Sequence, residues 1–419
     1  MVTLTPTNLA IFAIVIGAVA GVIVRPFRWP EAIWAVAGAL LLLALGLLPW
    51  SEGLHAVGKG LDVYLFLVGM MLLSEIARRE GLFDWVAGYA VNHARGSPRR
   101  LFLLVFLLGI VVTTFLSNDA TAVVLTPAVF AATRKAKVDP LPYLFICAMI
   151  ANAASFVLPI SNPANLVLYG DHTPPLMQWL GSFALPSLLS IVATYATLRW
   201  TQAAKLGGTC EAGVEQPALS PGGRAALAGI GATAAVLLTV SAFDTSLGLP
   251  TFIMGTLTTA IVLIRSRTSP LPVLAGVSWA VLPLVGGLFV LVAAVARTGV
   301  TAALAAALRD AAHASAIGAA AGAGTILAVA SNLMNNLPAG LIASNVITTA
   351  RPPQSVVDAL LIGVDLGPNL SITGSLATIL WLTAIRREGV DVGFWQFLKV
   401  GIVVMPAALV LAIAARLIL

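Results

Sequence analysis

Ser117, Asn118, Asp119 and Thr121 stand together in FLSNDATAVVLTP (115–127), where Asp119 is the only ionisable side chain between Leu101 and Thr133. Three similar polar motifs interrupt apolar sequence elsewhere. PISNPANL (159–166) supplies Asn162 and Asn165, SNLMNN (331–336) supplies Ser331, Asn332, Asn335 and Asn336, and DLGPNLSITGS (365–375) supplies Asp365, Asn369, Ser371 and Thr373. Amides and hydroxyls both donate and accept hydrogen bonds, so these residues suit a small neutral solute that carries hydroxyls. A carboxylate solute would call for Arg or Lys, and none of the four motifs contains either.

Composition fixes the solvent around the motifs. Of the 419 residues 59% are hydrophobic and 10% charged, against about a quarter charged in a soluble domain. Several apolar runs reach the roughly 18–20 residues that cross a bilayer. The chain therefore reads as an all-α polytopic membrane protein. Asn8–Val24 has no basic region before it and no small-residue cleavage site, and reads as a first span rather than a removed signal. The two cysteines, Cys147 and Cys210, allow at most one bridge. The net charge of +6 reflects Lys and Arg in short loops, as membrane orientation requires, and is no sign of a nucleic-acid partner. A carboxyl at membrane depth is costly when ionised and marks a functional position, so Asp119 and Asp365 are expected to carry protons. The alternatives are that Asp119 caps the helix that follows it, and that Asp365 is a solvated acid holding a helix break open.

The elements that position these residues follow from the charges. Spans are expected over about 8–24, 31–48, 61–77, 180–198, 225–243, 251–264, 278–296 and 396–415, with interrupted spans at 141–170 and 354–385. Leu101–Leu116 makes roughly 24 Å of helix, short of a core of about 30 Å. Arg99 and Arg100 precede it, and Arg134, Lys135 and Lys137 follow its return. Residues 101–133 thus read as a re-entrant hairpin with SNDAT at its tip. Residues 314–349, uncharged between Arg309 and Arg351, read as a second hairpin entering from the opposite face. With about ten spans and two hairpins, 18 of the 23 Lys and Arg fall on one side and 5 on the other, which puts both termini outside. Residues 81–96 read as an amphipathic surface helix. The halves, 1–203 and 224–419, are joined by a hydrophilic linker at 204–223.

The halves repeat. Ser117-Asn118 matches Ser331-Asn332, Pro127 matches Pro338, and the interrupted spans pair Asn165 with Asn369. The two hairpins enter from opposite faces, so the repeat is inverted. Paired interrupted segments in inverted halves point to a secondary transporter with its site near the midplane. Irregular backbone at that depth must be satisfied by protein or a wet cavity, and Ser and Asn suit the caps of such broken ends.

On SNDATAVVLTP, SNLMNNLPAGL, PISNPANLVL and GPNLSITGSLATILW, the sequence resembles the ion transporter superfamily of dicarboxylate and Na⁺/H⁺ carriers. Within that superfamily it is most similar to the bacterial ArsB-type arsenical-resistance permeases, over essentially the whole chain. The resemblance implies efflux of trivalent arsenite and antimonite across the bacterial inner membrane in exchange for protons. It also allows a soluble arsenite-stimulated ATPase as partner on the cytoplasmic face, and no cofactor. It puts substrate at the hairpin tips, where Asn118 and Asn332 fall. The third tip position, often Thr in carboxylate carriers, is Asp119 in one tip and Leu333 in the other, a departure from a two-sodium dicarboxylate mechanism. A dicarboxylate symporter or Na⁺/H⁺ antiporter of the same superfamily is the alternative. Undissociated As(OH)₃ matches an amide-and-hydroxyl chamber. A three-thiolate arsenic site cannot be built from two cysteines.

Other residues receive plainer readings. No Walker, HExxH or GxSxG sequence occurs, which argues against an ATPase or hydrolase in the chain. His55, His93, His172 and His313 map to loops or interfaces and receive no role, and no metal site is expected. Asp358 reads as a surface residue near the outer face, and Asp62 and Glu75 as anchors. Gly363, Gly367 and Gly286-Gly287 read as close helix packing. Trp34, Trp50, Trp85, Trp179 and Trp395 read as an aromatic belt.

Overall fold

The computed structural model describes residues 5–170, 173–211, 213, 218–243 and 245–419, and every regular element among them is helical. His172 lies outside the described residues. Five long apolar helices cross singly: Pro6–Val24, Leu176–Thr201, Pro221–Ala242, Gly248–Ser266 and Phe394–Ile418. Leu61–Arg79 and Val281–Arg297 cross as the longer members of bent pairs, turning 46° from Trp50–Lys59 and 74° from Val300–Ala314 respectively. Glu31–Ala44 is a shorter apolar helix. Two interrupted spans, Leu141–Ala153 with Pro163–Tyr169 and Gln354–Leu366 with Leu376–Arg387, complete ten crossings.

Each hairpin has its own cause. Pro98–Leu116 starts from a Ser97 cap with Pro98 in the first turn, where a missing N–H costs nothing. It ends at Ser117, whose φ of 127° and ψ of 163° turn the chain back. The return arm runs through Asn118–Ala120, a π-helical turn at Thr121–Leu125, and Thr126–Lys135. Pro127 lacks an N–H and its ring crowds the preceding turn, and the wider π turn accommodates it. The second hairpin joins Ala316–Met334 to Asn336–Ala350 through Asn335, at φ 75° and ψ 151°. Asn tolerates this positive φ better than most residues.

Both halves run in the same order: three spans, a surface helix, a hairpin, an interrupted span and a final span. Leu82–His93 is the surface helix expected at 81–96, and Val300–Ala314 is its counterpart, which the sequence reading missed. The two final spans, Leu176–Thr201 and Phe394–Ile418, pack on each other. Leu61–Arg79 packs on Gly248–Ser266, and Glu31–Ala44 on Val281–Arg297, a reciprocal exchange between halves. Gly363 and Gly367 do mark close packing: a Cβ at 363 would stand 2.2 Å from Gly324 O, and one at 367 would stand 2.3 Å from Ala328 O. The linker is held on the basic face, where Glu211 pairs with Lys137 at 2.6 Å and Lys205 with Asp139 at 3.1 Å.

Two surface assignments are corrected. Asp358 is fully buried. It pairs with Arg416 at 2.6 Å and accepts from Tyr169 Oη at 2.7 Å and Gln354 Nε2 at 2.8 Å. A carboxylate is stable there because its charge and lone pairs are matched. Trp179 leaves the aromatic belt: it is fully buried, and its indole N–H donates to Phe156 O. The anchors behave as expected, since Glu75 accepts from Arg78 and Arg79, and Asp62 accepts from the N–H of Gly248.

Candidate functional site

The two tips and the two interrupted spans meet at one small cavity of about 10 Å³. Asn118, Asp119, Asn162 and Asn336 line it, closed by Leu67, Pro163, Val281, Leu337, Leu376 and Ala377. A helix crossing the whole bilayer would end at the far surface, whereas these tips end beside mid-span breaks, which makes them re-entrant. No Lys or Arg lines the cavity among the described residues. Leu67, Asp119, Pro163 and Val281 also line an adjoining vestibule of about 60 Å³ that runs to Ser74 and Glu75 at the basic end of the protein. An outer crevice of about 720 Å³, between His55, Tyr169, Arg297 and Asn345, shares no lining residue with the tip cavity. The tip cavity therefore adjoins the vestibule on the basic, inner-assigned side and not the outer crevice.

The second tip sits four residues later than the sequence alignment of the halves placed it. Ser117 caps its return arm by accepting from Ala120 N, and Asn335 does the same by accepting from Leu337 N. The corresponding pairs are thus Ser117-Asn118 and Asn335-Asn336, and the third tip position is Leu337 rather than Leu333, whose side chain is exposed. Ser331 and Asn332 lie in the last turns of the inbound arm. Ser331 Oγ donates to Leu327 O, and Asn332 Nδ2 donates to Ala328 O at 2.8 Å and Gly367 O at 2.9 Å. Both motifs in SNLMNN carry the same chemistry, and only the backbone at Asn335 decides between them.

The remaining sequence candidates separate by what they touch. Asn118 Oδ1 is buried and makes no hydrogen bond within the protein, and such an acceptor calls for a partner. Asp119 does not cap, since Ser117 holds that position. Its carboxylate faces the junction of cavity and vestibule. Asn162 caps Pro163–Tyr169 by accepting from Ala164 N, and donates at 2.8 Å to Asp365 Oδ1 behind the cavity wall. Asp365 is fully buried, with Oδ2 free of hydrogen bonds, so it is not a solvated acid.

Other candidates face the breaks rather than the cavity. Thr121 shares a hydroxyl bond with Thr113 at 2.8 Å. Asn165 Nδ2 donates to the carbonyls of Ser155, Leu158 and Pro159. Asn369 donates to Met149 O. Ser371 donates to Asn332 Oδ1, and Thr373 to Asn332 O. Asn165 thus satisfies backbone left open by the first interruption, and the others tie neighbouring segments together. Asn165 and Asn369 are also not counterparts. Asn165 lies three residues after its cap, Asn162, where the second half has Thr378 after Ser375, and Asn369 lies before the break. Sequence reasoning missed Asn152 and Thr378: Asn152 Nδ2 donates across the breaks to Asn369 Oδ1 and to Thr378 Oγ1. An asparagine alone in LFICAMIANAASF was the available signal.

The citrate transporter (CitMHS) family profile matches residues 11–364. The chain belongs to this family. It is 26% identical to an arsenical pump membrane protein of Escherichia coli, over 91% of this chain and 92% of that protein. It is 23% identical to an uncharacterised transporter of Mycobacterium tuberculosis, over 96% of this chain and 97% of the relative. Among solved structures, the YdaH transporter of Alcanivorax borkumensis superposes with a TM-score of 0.59 at 16% identity, covering 88% of this chain and 87% of that one. MtrF of Neisseria gonorrhoeae gives 0.57 at 13% identity, covering 99% and 95%. These likenesses fix a membrane transporter fold, and the protein is a transporter rather than an enzyme.

Proposed function

We propose that this transporter exports trivalent metalloids, arsenite and antimonite, across the bacterial cytoplasmic membrane by exchange with protons, conferring resistance to arsenic. The observation that carries the reading is the cavity itself: amides from both halves, Asn118, Asn162 and Asn336, with no cationic side chain. As(OH)₃ is uncharged, and amides can donate to and accept from its hydroxyls. The likeness to arsenical pump proteins over nine-tenths of the chain supports the same cargo. Asp119, at the junction of cavity and vestibule, and Asp365, bonded to the cavity residue Asn162, are the proposed proton carriers. Proton and cargo would then alternate at one site open to one side at a time. An ATPase partner, where present, would dock on the basic inner face.

The family's name points to a second cargo, citrate. A carboxylate would leave its charges unmatched against these amides. Survival of an arsenite-sensitive bacterium expressing the chain separates the two. Growth at otherwise lethal arsenite supports export, and unchanged sensitivity with the protein in the membrane contradicts it.

A further inference from the structure

The cap of each interrupted span makes the same pair of contacts. Asn162 accepts from the first turn of its own half-helix, at Ala164 N, and donates to Asp365 of the other half at 2.8 Å. Ser375 accepts from Thr378 N and donates to Asn152 Oδ1, again in the other half, at 3.3 Å. Asp365 lies ten residues before Ser375, and Asn152 lies ten residues before Asn162. The two contacts are therefore related by the pseudo-two-fold of the repeat, and Asp and Asn are close to isosteric. Both residues are fully buried. Asn152 Nδ2 also donates to Asn369 Oδ1 at 2.9 Å and to Thr378 Oγ1 at 3.4 Å, tying the first interrupted span to the second.

We propose that Asn152 is the neutral counterpart of Asp365, a positioning residue that holds the Ser375 cap as Asp365 holds the Asn162 cap, and that a carboxyl at 152 can take over from one at 365. The proposal rests on the reading of Asp365 as a proton carrier. A proton on Asp365 would switch one oxygen from acceptor to donor, and Oδ2 is free to make that change. At position 152 a carboxyl would still accept from Ser375, and once protonated would replace the lost amide donor toward Asn369. No ionisable side chain among the described residues hydrogen-bonds to either position. Asp119 lines the same cavity as Asn162, whose amide donates to Asp365. Tyr169, Asp358 and Arg416 form their own cluster about two helical turns outward. Cys147 and Tyr143 share the helix of Asn152, and Lys399, Arg386 and Arg387 lie toward the inner ends. Neither arm of the second hairpin brings a titratable side chain.

The test compares wild type, Asp365→Asn, Asn152→Asp and the exchanged pair Asn152→Asp/Asp365→Asn. Two profiles are measured over about pH 5–9: the Tm of the purified protein, which needs no cargo, and arsenite flux in inverted vesicles. Asp365→Asn should lose a pH-dependent component of both, and the exchanged pair should regain it. If Asp365→Asn keeps the wild-type profiles, the assignment of Asp365 as a proton carrier fails. If Asp365→Asn flattens them and the folded exchanged pair stays flat, the equivalence of Asn152 is overturned. Should the exchanged pair not fold, Asn152→Asp alone decides: a second pH-dependent step in Tm is expected, and an unchanged profile overturns the proposal.

Discussion

Asn332 and Asn336 differ by four residues in sequence and by role in the fold. Asn336 lines the cavity without a side-chain hydrogen bond, so Asn336→Ala should abolish arsenite resistance while leaving the Tm near wild type. Asn332 ties its arm to Gly367 and Ser371, so Asn332→Ala should lower the Tm, at roughly 1 kcal/mol per lost bond. Growth assays alongside thermal scans distinguish these outcomes, and the reverse pattern would return the tip to Ser331-Asn332. Asp119 makes no cap, so Asp119→Asn should leave helix capping intact and remove one component of the pH dependence of transport, whereas a capping residue would tolerate Asn without any change in coupling. The polar residues were legible because apolar runs make any Asn or Asp conspicuous. Which of them face the cavity was not, because Asn165 and Asn369 have the same chemistry as Asn118 yet spend it on backbone carbonyls of the breaks.

At the scale of elements, the interrupted spans are held by groups far apart in the chain. Asp358 joins the outer halves of both interrupted spans, through Tyr169 and Gln354, to the last helix through Arg416. Arg416→Ala would strand a buried carboxylate and should cost about 3–5 kcal/mol, read as a fall in Tm in detergent. The double substitution Asp358→Leu/Arg416→Met should recover much of that loss, and equal losses in both variants would refute a buried pair. Asp358 looked like a surface acid because its partner lies 58 positions along the chain. Gly363 and Gly324 set the separation of the second hairpin from its interrupted span. Gly363→Val should force the two apart and leave little folded transporter on size-exclusion chromatography. The hairpin turns and helix breaks were visible as polar clusters near Pro, but Val300–Ala314 was not, since its Arg309 and His313 read as loop residues flanking the hairpin.

At the scale of the molecule, ten crossings and two hairpins followed from the alternation of basic and neutral loops, because redrawing either hairpin as a span would reverse every later loop. The same bookkeeping orients both termini outward. A reporter enzyme that is active only outside the cytoplasm should therefore work when fused after Leu419, and an inactive, stably expressed fusion would invert the proposed sidedness. The pseudo-two-fold was partly legible in the matching motif order, but its cross-half bonds, Asn162 to Asp365 and Ser375 to Asn152, needed three dimensions. The central proposal is that amides from both halves converge on an uncharged cargo. Its most direct measurement is uptake by inverted vesicles under an imposed pH gradient, offered arsenite and citrate in parallel, with Asn118→Ala and Asn336→Ala as controls. Gradient-dependent arsenite accumulation that both substitutions abolish is the expected result. Citrate accumulation without arsenite flux, or arsenite flux indifferent to both substitutions, would contradict it.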